Sequence, residues 1–176
     1  MDETDLRLPA EYGLFLEELK ERIRSAQVRA AVAVNTELIL LYWNIGRRIR
    51  AAQETEGYGT KIVPKLSADL SKAFPEMKGF SPRNLNYMLA FAKTWPDGKV
   101  LQQLVAKLPW GHNITLLQKL DTSELRLWYA TVSLQNGWSR NVLAIEVDSK
   151  LHQRRQNHCF RTHGKSKNNR FLRNHF

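Results

Sequence analysis

Between Leu14 and Ile45 the chain contains neither proline nor glycine, and apolar residues recur along it at helical spacing. Leu16, Leu19 and Ile23 form the first part of this stripe, and Leu38, Leu41, Tyr42, Ile45 and Ile49 continue it. Nothing in the stretch would stop a helix, so it is one long helix or two with a soft joint. From Leu38 to Trp43 apolar side chains cover nearly the whole circumference, the pattern of a helix wrapped by others. This segment is expected to be the central core helix. Arg47, Arg48 and Arg50 are expected in its last turns, where cations complement the helix dipole, and capping is favoured over phosphate binding for them.

The rest of the chain also reads as helix, with no convincing strand. Gly57 and Gly59 interrupt the pattern, Thr60 offers an N-cap, and Pro64 falls in a first turn, where its missing amide costs little. Ile62, Leu66, Leu70 and Phe74 repeat every four residues as a core stripe, and Pro75 and Gly79 mark the stop. The next helix has the clearest opening, Gly79-Phe80-Ser81-Pro82-Arg83-Asn84-Leu85. Ser81 is the cap, Pro82 takes the first helical position, and Phe80 can staple onto the turn at Leu85. On this helix Leu85, Met88, Leu89 and Ala92 share one side with Trp95 at its edge. Arg83, Asn86, Tyr87, Ala90 and Thr94 share the other, flanked by Lys93.

Beyond Pro96, Leu101, Leu104, Val105 and Leu108 form one apolar face, Leu117 and Leu120 a second, and Leu125, Trp128, Tyr129 and Val132 a third. Pro109 to Asn113 turns the corner between the first two. Gly137-Trp138-Ser139-Arg140-Asn141-Val142 then echoes the opening at Gly79 with Pro82 skipped. Staple-and-cap chemistry converges readily, so convergence is favoured over an old duplication. The expected fold class is all-α: a single helical domain with a long core helix and a helix-turn-helix-like pair, followed by a basic tail. The Pro75 to Phe80 connection is longer than the usual turn of that motif.

The formal charge of +10 is unevenly placed. Residues 151–176 hold seven basic residues and no acid, and residues 60–100 hold seven basic residues against three acidic ones. Within the body the excess therefore falls on the helix pair. Arginine can grip a guanine edge, asparagine an adenine edge and tyrosine a phosphate, while Ala90 permits close approach to a groove. Arg83, Asn86 and Tyr87 are accordingly the candidates for base or phosphate contacts. Lys61, Lys65, Lys72, Lys78 and Lys93 are the candidates for positioning on the phosphate backbone.

The segments Asn35 to Gly46, Leu66 to Leu70, Gly79 to Met88, Leu108 to Asn113 and Trp128 to Leu143 together resemble the N-terminal domain of the YhcG family of bacterial proteins. The resemblance covers residues 8–155. It implies a DNA-associated role, because in that family the domain usually precedes a PDDEXK-type nuclease domain, and it implies no catalytic residues for this part. Residues 156–176 depart from the family pattern and read as a basic, disordered tail. A truncated or frameshifted gene product is the leading explanation for them.

No enzyme is expected. Asp148-Ser149-Lys150 matches an acid-x-lysine nuclease triplet as a string, yet it falls on an expected helix with no partner acid on a strand. No acid or nucleophile is recognisable in the sequence as a mate for His112, which favours capping or packing. His158, Cys159 and His163 make too thin a ligand set for a metal, so neither metal nor cofactor is expected. With one cysteine, no leader pattern and no apolar run long enough to span a bilayer, the expected location is the cytoplasm. The expected partners are DNA and a nuclease acting in trans, with no membrane. The alternative is a protein-interaction module, with Tyr58, Trp95 and Trp110 exposed to recruit a partner without touching DNA.

Overall fold

The computed structural model describes residues 11–55, 57–59, 61–96, 98 and 104–155. These residues are all-α. The helices are α1 (Tyr12–Glu54), α2 (Ile62–Ala73), α3 (Pro82–Thr94), a 3-10 turn η1 (Val105–Lys107), α4 (Trp110–Lys119), α5 (Ser123–Asn136) and α6 (Arg140–Asp148). The chain divides into two compact units, Met1–Asn113 and Ile114–Phe176.

In the first unit α1 is a single uninterrupted helix. Its buried positions are Ile39, Tyr42, Trp43, Gly46, Ile49 and Ala52, spaced by three and four residues along one face, which α3, η1 and α2 cover. Leu41 is 44% exposed, so the apolar belt from Leu38 to Trp43 is not wrapped all round. The hydrophobic run is wider than the surface that packs on it. The arginines are also placed differently from expectation: α1 continues to Glu54, so Arg47, Arg48 and Arg50 precede the last turn. Arg50 pairs with Glu54 at 2.9 Å, and Arg47 lies over the Trp43 ring at 4.8 Å.

Helix α2 buries Val63 and Ser67, while Ile62, Leu66 and Leu70 pack at the rim of the core and Phe74 is 50% exposed. The four-residue stripe thus flanks the contact where it was expected to be its centre. The proposed cap Thr60 lies outside the described residues. Ser81 caps α3 by accepting from the Asn84 amide, with Pro82 in the first turn. Phe80 and Leu85, the two ends of the staple, are both buried.

The apolar segment around Leu104 to Leu108 forms only a 3-10 turn among the described residues, where a regular helix was expected. Buried Asn113 explains how that irregular corner keeps its carbonyls satisfied. Its Nδ2 donates to the Val105, Leu108 and Pro109 carbonyls at 3.2–3.4 Å. Asn35 of α1 donates to the Ala106 and Leu108 carbonyls from the other side.

The second unit contains α5, capped by Thr122 and ended by Gly137 in the left-handed conformation at φ 60°. Trp138 donates its amide to the Ser133 carbonyl across this end, a Schellman-type closure. Ser139 then caps α6. Residues 151–155 form a further helical turn.

Candidate nucleic-acid interface

Helix α3 is fixed along its whole inner side. Leu85, Met88, Phe91 and Ala92 are buried, and Trp95 follows them into the core. At its N-terminal end the Ser67 hydroxyl donates to the Phe80 carbonyl at 2.7 Å. Asn84 donates to the Gly79 carbonyl at 2.6 Å and accepts from the Trp110 indole at 2.7 Å. At its C-terminal end the Trp43 indole donates to the Trp95 carbonyl at 2.7 Å in a buried bond. Two indoles, one asparagine and one serine therefore hold the ends of α3, each using a polar group that burial would otherwise leave unsatisfied.

The outer side of α3 carries Arg83, Asn86, Ala90 and Lys93, all exposed, with Tyr87 half-buried between them. Arg83 is tied to Tyr87. Its Nε and Nη2 donate to the phenol oxygen at 3.3 and 3.2 Å, and its guanidinium lies 5.6 Å from the ring centre. Lys61, Lys65, Lys72 and Lys78 are exposed as well. Lys65 pairs with Asp69 at 3.0 Å, which offsets its charge. The side chains of Asn86, Lys61, Lys72, Lys78 and Lys93 make no hydrogen bond or ion pair among the described residues.

The aromatics expected at the surface are not all there. Trp95 is buried. Trp110 is part-buried, with edge-on contacts to Tyr42 at 5.0 Å and Phe91 at 5.2 Å. Core packing claims both, and for Trp110 the bond from its indole N–H to Asn84 lets it bury its large apolar area at little polar cost. Tyr58 alone of the three is exposed.

The DUF1016 N-terminal domain, the YhcG-type N-terminal domain, matches residues 18–154. The chain belongs to the DUF1016 N-terminal domain family. No match is found among curated proteins or among solved structures.

In the second unit of this DUF1016 domain, Tyr129 is fully buried and its hydroxyl lies 2.9 Å from His152 Nδ1 and 3.2 Å from the Glu146 carbonyl. Burial raises its pKa above the ordinary tyrosine value, and the Glu146 charge adds to this. Hydrogen bonds from the His152 and Leu151 backbone and the Arg154 charge oppose it. Trp128 stands edge-on to Tyr129 at 4.8 Å, with Arg155 over its ring at 5.9 Å. This grouping was missed because its members meet only after the turn at Lys150, whose φ is 52°.

Asp148 ends α6 paired with Lys119 at 2.6 Å, and Glu146 pairs with Arg154 at 2.9 Å. The acid of the acid-x-lysine string is thus taken up in an ion pair at the end of α6. His112 is buried. Among the described residues no group of three or more His, Cys, Asp or Glu is placed to hold a metal ion. His158, Cys159, His163 and the basic tail lie outside the described residues. No helix among the described residues is long and apolar enough to cross a membrane.

Proposed function

We propose that this domain is a DNA-binding module, the targeting part of a nuclease-associated bacterial protein, with no catalytic role of its own. The observation that carries the reading is the two-sided character of α3: its inner side and both ends are fixed, while its outer side presents Arg83, Asn86, Ala90 and Lys93 to solvent. A rigid helix loses little freedom on entering a groove. The stacking of Arg83 on Tyr87 restrains the guanidinium before any contact is made, which lowers the ordering cost further. In this mechanism Arg83 and Asn86 read base edges, Tyr87 contacts a phosphate, and Lys61, Lys65, Lys72, Lys78 and Lys93 fix the position on the backbone. Cleavage belongs to a nuclease acting as partner.

Fluorescence anisotropy of labelled duplex DNA over a salt series tests this. The affinity should fall steeply between low and physiological salt. It should survive replacement of Arg161, Lys165, Lys167, Arg170 and Arg173 by glutamine and drop with Arg83→Ala. Binding that disappears with the tail charges alone would move recognition off α3 and overturn the assignment.

A further inference from the structure

Phe74 completes the stripe Ile62, Leu66, Leu70 and Phe74, a position that the pattern assigns to the core, yet half of it is open to solvent. The reason is local, because α2 ends there. The Phe74 backbone leaves the helix at φ −130° and ψ 67°. Its amide donates to the Leu70 carbonyl at 2.9 Å, and its carbonyl accepts from the Met77 amide at 3.0 Å. The ring rests against buried Phe80, with 6.1 Å between centres, and the Phe80 carbonyl is itself held by Ser67. Phe74 is therefore a fixed aromatic surface, backed by Phe80 on one side and open on the other. Met77, exposed on the same turn, extends it.

A single exposed apolar side chain needs no explanation, but two on one turn inside a cationic stretch do. Lys72 in the last turn of α2 and Lys78 in the following loop bracket Phe74 and Met77, and Arg83 follows in the first turn of α3. Glu76 offsets one of these charges. The Lys72 and Lys78 side chains make no hydrogen bond or ion pair among the described residues. A ligand that answers both features carries phosphates and a flat apolar face. An anionic lipid surface answers them less well, since helices that lie on one bury a long apolar face, and here two side chains on a turn supply it. Nucleic acid answers both on one condition. In a continuous duplex only base edges and phosphates are open in the grooves, so an aromatic platform takes a base that has left the stack. A wedge driven between paired steps needs a protruding side chain, and Phe80 backs this one.

We infer that Phe74 stacks on an unpaired base, so that the DNA this domain prefers is a duplex continuing into a single strand. The inference rests on the DNA-binding reading above and names its substrate class. With α3 in the duplex groove, the turn at residues 74–78 comes just before the cap Ser81 and meets the strand as it leaves the duplex. Phe74 takes the face of the base, Met77 its edge, and Lys72 and Lys78 the flanking phosphates.

Anisotropy titrations of the full chain against a blunt labelled duplex, and against duplexes of the same phosphate number with a single-stranded extension on either strand, test this. One extension should raise the affinity roughly tenfold over the blunt duplex. Phe74→Leu keeps an apolar group against Phe80 but has no aromatic face. It should erase that preference and leave blunt-duplex binding unchanged, while Phe74→Tyr should retain the preference. Abasic sites along the extension keep its phosphates and remove its bases, so they should erase the preference in the wild-type chain, where folding is not in question. Equal affinities for blunt and extended DNA, or a preference that survives Phe74→Leu or the abasic sites, would overturn the stacking role while the DNA-binding reading stands. Failure to bind any of these DNAs would overturn that reading and the stacking role with it, as would Phe74-dependent binding to phosphatidylglycerol vesicles in place of DNA.

Discussion

Gly46 of α1 lies against the Met88 carbonyl of α3 so closely that a Cβ built on it would come within 2.5 Å of the Met88 carbonyl carbon and 3.0 Å of the Ala92 Cβ. The two helices cross there almost backbone to backbone. In a free helix Gly46→Ala would gain about 1 kcal/mol from propensity. The obstruction here is a main-chain carbonyl, which cannot rotate aside, and overpacking of this kind costs roughly 1–3 kcal/mol or more. Overpacking wins. Gly46→Ala should therefore lower the urea midpoint with an unchanged denaturant slope, and a raised midpoint would mean the crossing has room to spare.

Asn84 joins the opening of α3 to Trp110, donating to one partner and accepting from the other. Asn84→Ala would leave the part-buried indole N–H and the Gly79 carbonyl without these bonds, a loss of about 1–3 kcal/mol. Indole fluorescence should shift as Trp110 is released, and urea unfolding should give the energy. A stability unchanged to within experimental error would show that water replaces both bonds.

Sequence alone revealed what is local. Ser81 and Ser139 both cap the helices they were expected to open, because an N-cap and the amide that donates to it lie three residues apart. The bonds that hold α3 were not legible. Ser67 reaches Phe80 across 13 positions, Asn84 reaches Trp110 across 26 and Trp43 reaches Trp95 across 52. The helical wheel of α3 likewise found Leu85, Met88 and Ala92 but passed over Phe91, which α1 and Trp110 draw inward. The echo between Gly79 and Gly137 dissolves on inspection. Gly137 ends α5 in a left-handed conformation, whereas Gly79 has no such φ and makes room for the Tyr42 hydroxyl, which a Cβ would meet at 2.5 Å. The two glycines thus answer different local demands. Arg83, Asn86 and Lys93 were legible as the outer side of α3 because exposure there follows directly from the apolar side opposite.

Arg83 of α3 and Lys72 of α2 have different roles in the proposed DNA contact. Arg83→Ala should cost about 1–3 kcal/mol on a preferred duplex and relax the preference, while Lys72→Ala should weaken every sequence alike and reduce the salt slope by about one. Both side chains are exposed, so each variant should keep its unfolding free energy to within about 0.5 kcal/mol. Anisotropy titrations against a panel of duplexes decide the matter. Equal losses on all sequences for Arg83→Ala would exclude base reading by that residue.

Burial raises the pKa of Tyr42 above the ordinary value of 10.0, and this ties the first unit's stability to alkaline pH. The folded state holds the phenolic proton more tightly than the unfolded chain does. The resulting stabilisation is complete below the unfolded value and is lost as pH rises through the folded one. Tyr42 has no room to ionise comfortably, since its ring packs edge-on to Trp110 and its oxygen faces Gly79. Stability measured by urea unfolding from about pH 8 to 11 should thus stay level and then fall beyond the ordinary tyrosine range. Tyr42→Phe removes this group's share of the fall while leaving that of Tyr129 in place. A shallower alkaline slope in the variant is the expected result, and an identical slope would show that Tyr42 ionises in the folded protein as readily as in the unfolded chain.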